Sequence, residues 1–113
     1  MPLPSTTNLF RTFKGKYKAL APDGVTEYPI MLSCTNDVIF MGRLTSNANK
    51  LICTLPVECR PTNQPITIYV YAIGQSGPQY VDIYTNGEVK CGHANTTYSL
   101  DGHSFNISRN FYG

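Results

Sequence analysis

The sequence contains no tryptophan, and only 14% of its residues are charged. Its formal net charge of +2 is too small to predict that the whole domain binds nucleic acid. No apolar run is long enough to cross a bilayer, and the first residues lack the apolar middle of a signal peptide. We therefore expect no nucleic-acid partner and no insertion into a membrane.

Motifs of enzymes and metal sites are also missing. The cysteines and histidines lack the spacing of a zinc site, and no glycine-rich phosphate loop precedes a helix. Cys59 with His93 would supply a nucleophile and a base, but the two residues lie in no known motif. The same holds for Asp82 with His103 as an acid and a base. We therefore expect no enzyme activity, no cofactor and no metal.

The cysteines are expected to be reduced thiols in the core, because nothing in the sequence directs the chain to an oxidising compartment. A disulfide between Cys53 and Cys59, or one that joins more distant cysteines, is the alternative.

Turn-forming and strand-forming residues are abundant. Glycine and proline total 17, tyrosine and phenylalanine total 13, and apolar residues alternate more often than they recur at helical spacing. This pattern predicts an all-β protein, an antiparallel β-sandwich of jelly-roll type with about eight short strands. We expect one head domain over residues 21–113, preceded by an N-terminal arm over residues 1–20.

The predicted arm is basic. Four of the nine Lys and Arg residues lie before Asp23, the first acidic residue, at Arg11, Lys14, Lys16 and Lys18. A solvated segment is the usual explanation of such a run, and an arm that meets an acidic neighbour is the alternative.

Three features organise the middle of the chain. "VIFMGRLTS" is interpreted as one strand in which Gly42 marks a bulge or a close backbone approach. Pro56, Pro61 and Pro65 lack an N–H, so the segment that holds them is predicted to be the long crossing loop of a Greek key. "HSFNIS" is predicted to be the last strand.

"PITIYVYAIG" and "YVDIYT" are predicted to form the central hairpin, with aliphatic residues on one face and tyrosines on the other. If Ile73 lies opposite Tyr80, aliphatic residues pair with aliphatic ones and tyrosine pairs with tyrosine. The cross-strand pairs in this register are Val70 with Ile83, Tyr71 with Asp82, and Tyr69 with Tyr84.

The next turn, Asn86–Gly87, has the sequence of a type I′ hairpin turn. Such a turn puts Val89 and Cys91 on the tyrosine side of the sheet. Either that side is a second buried surface, or a bulge shifts the register.

The tyrosines of the hairpin are the candidate interface residues, with plain strand propensity and ligand contact as alternatives. Polar residues near strand ends are the candidate ligand contacts, because loops at the ends of a sandwich often carry recognition. The interface set is Tyr69, Tyr71, Tyr80 and Tyr84, and the ligand set is Asp82, His93, His103 and Arg109.

Three segments, "LPVECRPTNQPITIYVYAIG", "VDIYTNGEVKCG" and "YSLDGHSF", resemble the C-terminal head domains of tail-fibre and baseplate proteins from phages of Gram-positive bacteria. The match covers about half of the chain and includes no catalytic signature. The residues that carry it are Leu55, Pro56, Arg60, Pro61, Ile83, Gly87, Val89, Leu100, Gly102, Ser104 and Phe105.

The resemblance implies a jelly-roll head at the tip of a virion appendage, usually trimeric, that binds a saccharide or teichoic acid of the host surface. We therefore expect a phage receptor-binding module that forms a homotrimer and contacts other virion proteins through its N-terminal arm. One alternative is a structural virion component, such as a decoration or fibre-tip protein, without receptor affinity, and another is a secreted trimeric lectin of similar fold.

Overall fold

A computed structural model describes residues 13–109, without the side chains of residues 13, 14 and 27. This part of the chain contains ten strands and one short 3₁₀ helix, Val57–Cys59. It holds no helix that is long and apolar enough to cross a bilayer. The strands are β1 (Phe13–Leu20), β2 (Thr26–Ser33), β3 (Asp37–Phe40), β4 (Arg43–Thr45), β5 (Leu51–Thr54), β6 (Ile66–Val70), β7 (Gln79–Ile83), β8 (Glu88–Cys91), β9 (Thr97–Ser99) and β10 (Ser104–Asn106).

Eight strands form one antiparallel sheet in the order β10-β3-β2-β1-β5-β8-β7-β6, and β4 pairs with β9 in a second sheet. A single residue pair, Leu20 with Thr54, joins β1 to β5, so the large sheet consists of two four-stranded halves. Its two edges approach each other where the Thr62 N–H donates to the Ile107 carbonyl at 2.8 Å. The described residues are therefore all-β, as predicted, and their nearly closed sheet is compatible with the predicted antiparallel β-sandwich. They contain ten strands rather than about eight.

In the order β5-β8-β7-β6, the strands β6, β7 and β8 form a meander, and β8 lies beside β5, the strand that precedes the meander in the sequence. This arrangement is a Greek key. The proline-rich segment is the long connection from β5 to β6, which confirms that prediction. Within it, the Arg60 side chain donates from Nε to the Leu55 carbonyl at 3.0 Å, and Cys59 is fully buried.

The core contains residues from both halves of the large sheet and from the small sheet of β4 and β9. Tyr98 is its largest fully buried side chain, and the rings of Phe40 and Phe105 pack with their centroids 5.8 Å apart. None of the four cysteines forms a disulfide with another described residue, and Cys53, Cys59 and Cys91 belong to the core, which agrees with their interpretation as small apolar residues.

The boundary of the predicted arm is wrong, because residues 13–20 form β1 in the middle of the large sheet. Lys16 and Lys18 are exposed, whereas Tyr17 packs against the core and Ala19 is buried within it. The lysines are therefore the solvent face of a strand. Residues 1–12 lie outside the described residues.

The strand predicted over "VIFMGRLTS" is divided at Gly42 into β3 and β4, which belong to different sheets. Gly42 has φ of 94°, and its N–H donates to the Asp101 carboxylate at 2.9 Å. The glycine therefore marks the point where the chain changes sheets, which is more than a bulge within one strand.

The predicted register of the central hairpin is also wrong. Tyr80 lies opposite Tyr69, not Ile73, which is a shift of four residues along β6. An even shift moves no side chain to the other face, so the aliphatic and tyrosine faces are as predicted.

The Asn86–Gly87 turn is not type I′, since Gly87 has φ of 92° whereas Asn86 does not have positive φ. The Gly87 N–H donates to the Tyr84 carbonyl, and the Tyr84 N–H donates to the Glu88 carbonyl. The glycine is thus an extra residue in the hairpin. Val89 consequently lies opposite Ile83 on the buried face, and the bulge was the correct alternative.

Candidate functional site

The outer face of β6, β7 and β8 carries the tyrosines. Side chains alternate along β6 and through Tyr71, the residue after it, so Thr67, Tyr69 and Tyr71 lie on the face opposite the core. Tyr69 is 64% exposed, Tyr71 56% and Tyr80 44%, while Tyr84 is half-buried. These side chains form an amphipathic surface of rings with polar tips.

A cleft of about 350 Å³ lies at one end of this face. Its lining residues come from the end of β6, from the loop between β6 and β7, and from the turn before β10, and they are Tyr69, Val70, Tyr71, Gly77, Pro78 and His103. Two predicted interface residues and one predicted ligand residue are therefore brought together. We call this site the tyrosine cleft.

The turn before β10 fixes the position of His103. The His103 N–H donates to the Leu100 carbonyl at 2.9 Å, and its own carbonyl accepts from the Phe40 N–H at 2.8 Å. Gly102 follows Asp101 in this turn with φ of 80°, which glycine adopts readily, and its N–H donates to the Phe40 carbonyl. These hydrogen bonds fix the backbone of the turn, and with it the position of His103 at the cleft.

Asp82 does not line the cleft but lies on the same face of the sheet. It is opposite Thr67 in β6, whose hydroxyl donates to the Asp82 carboxylate at 2.6 Å. Lys90 is opposite Asp82 in β8 but forms its ion pair with Glu88 at 3.7 Å, and its ammonium group lies 5.9 Å from the centre of the Tyr84 ring. The centre of the face is consequently a polar row of mixed charge.

His93 lies outside the cleft. Its ring Nε2 is 3.1 Å from the Gln79 side-chain oxygen, and its backbone N–H donates to the Tyr98 hydroxyl at 3.2 Å. Burial, followed by the hydrogen bond with the Cys91 thiol, raises the pKa of Tyr98 to about 12. His93 therefore contributes to a hydrogen-bonded cluster at the edge of the core.

Arg109 lies apart from the cleft, after β10, where its carbonyl is 3.5 Å from the Asn63 side-chain nitrogen and its N–H donates to the Asn106 carbonyl. The cleft instead includes Gly77 and Pro78, which were not among the predicted site residues. The observed register explains the position of Pro78. If the pairing of Tyr69 with Tyr80 is continued by two residues, Pro78 comes to lie opposite Tyr71.

Among residues 13–109, no group of three His, Cys, Asp or Glu side chains is placed to hold a metal ion. Comparison of the chain with protein-family models, with curated proteins and with solved structures gave no match. The resemblance to phage appendage heads therefore stays a prediction.

Proposed function

We propose that the chain is a receptor-binding module of a bacteriophage virion, at the tip of a tail fibre or in a baseplate. It attaches the particle to a saccharide on the surface of a Gram-positive bacterium. The observation that carries the proposal is the tyrosine cleft, in which two exposed tyrosines and a histidine meet on a β-sheet scaffold.

The composition of the cleft suits a sugar. Small-molecule sites are concave and mainly apolar, with a few polar groups that fix orientation. The rings of Tyr69 and Tyr71 and the side chain of Pro78 supply apolar area for the C–H face of a sugar ring. The imidazole of His103 and the tyrosine hydroxyls supply hydrogen bonds to sugar hydroxyls.

The rest of the tyrosine face supports a homotrimer. Tyr80 and Tyr84 lie outside the cleft on the same face, and tyrosine is enriched where protein surfaces meet. Three clefts on one particle tip increase avidity without new contacts in any single site. Residues 1–12 would contact other virion proteins as the N-terminal arm.

Binding to cell walls tests the proposal. Purified protein is incubated with wall preparations from a panel of Gram-positive species, and the bound fraction is measured with and without soluble wall saccharide. We expect retention on at least one wall and its loss with the competing saccharide. Failure to bind any wall, together with retention on virions, would instead favour a structural virion component without receptor affinity.

A further inference from the structure

One edge of β1 is unpaired over most of its length, although β1 lies in the middle of the large sheet. The Ala21 N–H donates to the Val25 carbonyl at 2.7 Å, toward β2, whereas Leu20 pairs with β5 on the other side. Because backbone groups alternate in direction along a strand, those of Lys16 and Lys18 point to the same side as those of Leu20. Within residues 13–109, no strand pairs with Lys16 or Lys18 on that side.

The separation of β5 from β1 has a cause in the sequence. If the pairing of Leu20 with β5 continued by two residues, Pro56 would lie opposite Lys18. Proline has no N–H to donate to a neighbouring strand. The chain turns there into the 3₁₀ helix that begins at Val57, a side chain that is 71% exposed. β5 therefore does not extend along β1, and the edge at the two lysines stays without a partner strand from the described residues.

This edge of β1 is basic. Lys16 and Lys18 are both exposed, and the residues directly opposite them on β2 are Met31 and Pro29, which carry no charge. Neither lysine forms an ion pair with a described side chain. The edge therefore combines main-chain donors and acceptors with two positive charges that no described carboxylate neutralises.

We propose that this edge of β1 docks an extended acidic segment of another protein, which adds to the sheet as a strand. The main chain of the segment bonds the N–H and C=O groups of Lys16 and Lys18, and these hydrogen bonds supply affinity. Carboxylates at alternate positions of the segment lie beside the two lysines and select it over other strands. The proposal does not depend on the tyrosine cleft or on saccharide binding.

The charges disfavour a second copy of the chain as the occupant. Antiparallel pairing of two identical β1 edges would set lysine beside lysine, and like charges on neighbouring strands are destabilising. Lysines on an open edge prevent this kind of self-association. The same two charges attract a strand that carries carboxylates, so the edge is suited to a partner of a different composition.

Titration of the ¹⁵N-labelled full chain tests the proposal. The probe is a short blocked peptide in which glutamate alternates with threonine, and the comparison peptide has lysine in place of glutamate. We expect the glutamate peptide to shift the amide signals of Lys16 and Lys18 and to slow their hydrogen exchange, and the lysine peptide to do neither. Added salt should weaken the binding, because the charges are exposed.

Charge reversal tests the role of the lysines. Lys16→Glu and Lys18→Glu should each raise the half-saturating concentration of the glutamate peptide about fivefold, and the double variant should bind the lysine peptide instead. Arg43→Glu is the matched control, because it changes the net charge equally at an exposed position in β4. It should leave binding of the glutamate peptide unchanged.

Backbone methylation of the peptide tests strand addition. Successive N–H groups of an added strand point alternately toward and away from β1. Methylation of either the glutamate or the threonine nitrogens, in two separate peptides, should therefore abolish binding in one peptide and not in the other. Equal binding by both would overturn the proposal, because charge alone would then explain the interaction.

Absence of any response at Lys16 and Lys18 to the glutamate peptide would also overturn the proposal, and would leave the lysines with only the role of preventing self-association. Concentration-dependent dimerisation that slows hydrogen exchange of these two amides without peptide would identify a second copy as the occupant instead.

Discussion

The ring of Tyr80 lies against Gly92, where a Cβ atom would come within 2.9 Å of the tyrosine Cε1 and 3.2 Å of its hydroxyl oxygen. Tyr80 extends from β7, and Gly92 follows the last residue of β8. Because glycine has no side chain, the Tyr80 ring can pack over Gly92 on the outer face of the sheet, next to the tyrosine cleft.

Substitution of Gly92 by alanine should displace the Tyr80 ring at small cost in stability. The atoms that clash belong to the end of a partly exposed side chain, so we expect a loss of at most about 1 kcal/mol. Ring signals of ¹³C-labelled tyrosine report the displacement, and urea unfolding reports the stability. Adding Gly92→Ala to Tyr80→Ala should cost nothing further, and an additional loss would show that another group makes the close contact.

Gly87→Ala should be far more damaging than Gly24→Ala. Both glycines have nearly the same positive φ, 92° and 91°, so the backbone strain of an L-residue is matched. At Gly87, however, the new Cβ would lie 2.8 Å from the Leu55 carbonyl oxygen and 2.5 Å from the Arg60 Nε, whereas at Gly24 nothing lies within 4 Å. We expect Gly87→Ala to lower the free energy of unfolding by at least about 1 kcal/mol more than Gly24→Ala. Equal losses in urea unfolding would contradict the packing described here.

Ser46→Ala should destabilise the protein by about 1–3 kcal/mol. The buried Ser46 hydroxyl donates to the His93 carbonyl at 2.6 Å and accepts from the Thr96 N–H at 3.1 Å, so the substitution leaves buried polar groups unpaired. Thr45→Ala is the matched control, because the neighbouring hydroxyl is exposed and, among residues 13–109, bonds only Thr97. It should change stability by less than about 0.5 kcal/mol, and comparable losses in the two variants would argue against the Ser46 network.

Stability should fall as the pH rises above 9, in part because of Cys53. Burial raises the pKa of its thiol from 9.0 to about 12. The unfolded chain therefore loses this proton first, and between these values the native state holds more protons, so unfolding becomes easier as pH rises. One such group contributes up to about 1.4 kcal/mol per pH unit.

Urea unfolding at pH 8 to 10.5 under reducing conditions measures this dependence, with Cys53→Ala as the comparison. The variant is less stable at neutral pH because of the lost thiol, but its stability should decline less steeply. Parallel declines would mean that the Cys53 thiol has the same pKa in both states. Burial also raises the pKa of Cys59, to about 11, and this group titrates in both proteins.

The fold class could be predicted because alternation and turn residues are local signals. Tyr17 and Ala19 alternate with Lys16 and Lys18, so the same signal was present in β1, but the run of basic residues was interpreted as an arm. The Greek-key connection could be predicted because each proline restricts its own backbone.

Registers could not be predicted, because they depend on bulges and on packing between distant residues. Shifting β6 by four residues preserves both faces, so residue type does not distinguish the two registers of Tyr80. The sequence Asn86–Gly87 fits a type I′ turn as well as it fits a turn with a bulge. In the structure, the bulge is accompanied by the packing of Arg60 and Leu55 beside Gly87, which the local sequence does not indicate.

The candidate site could be predicted in part. The tyrosines and His103 were identified by residue type, but their meeting depends on how the edges of the sheet approach each other, which no local pattern encodes. Arg109 and His93 satisfied the same criterion of polar residues near strand ends and lie elsewhere. Residue type thus identified candidates, and long-range topology selected among them.

The affinity of a Tyr71→Ala variant for the bacterial wall that retains the wild-type protein tests the central claim most directly. We expect at least a fivefold loss, on the order of one aromatic contact at each site, while Val57→Ala binds like the wild type. Undiminished binding by a correctly folded Tyr71→Ala protein would contradict the claim that the tyrosine cleft binds the receptor.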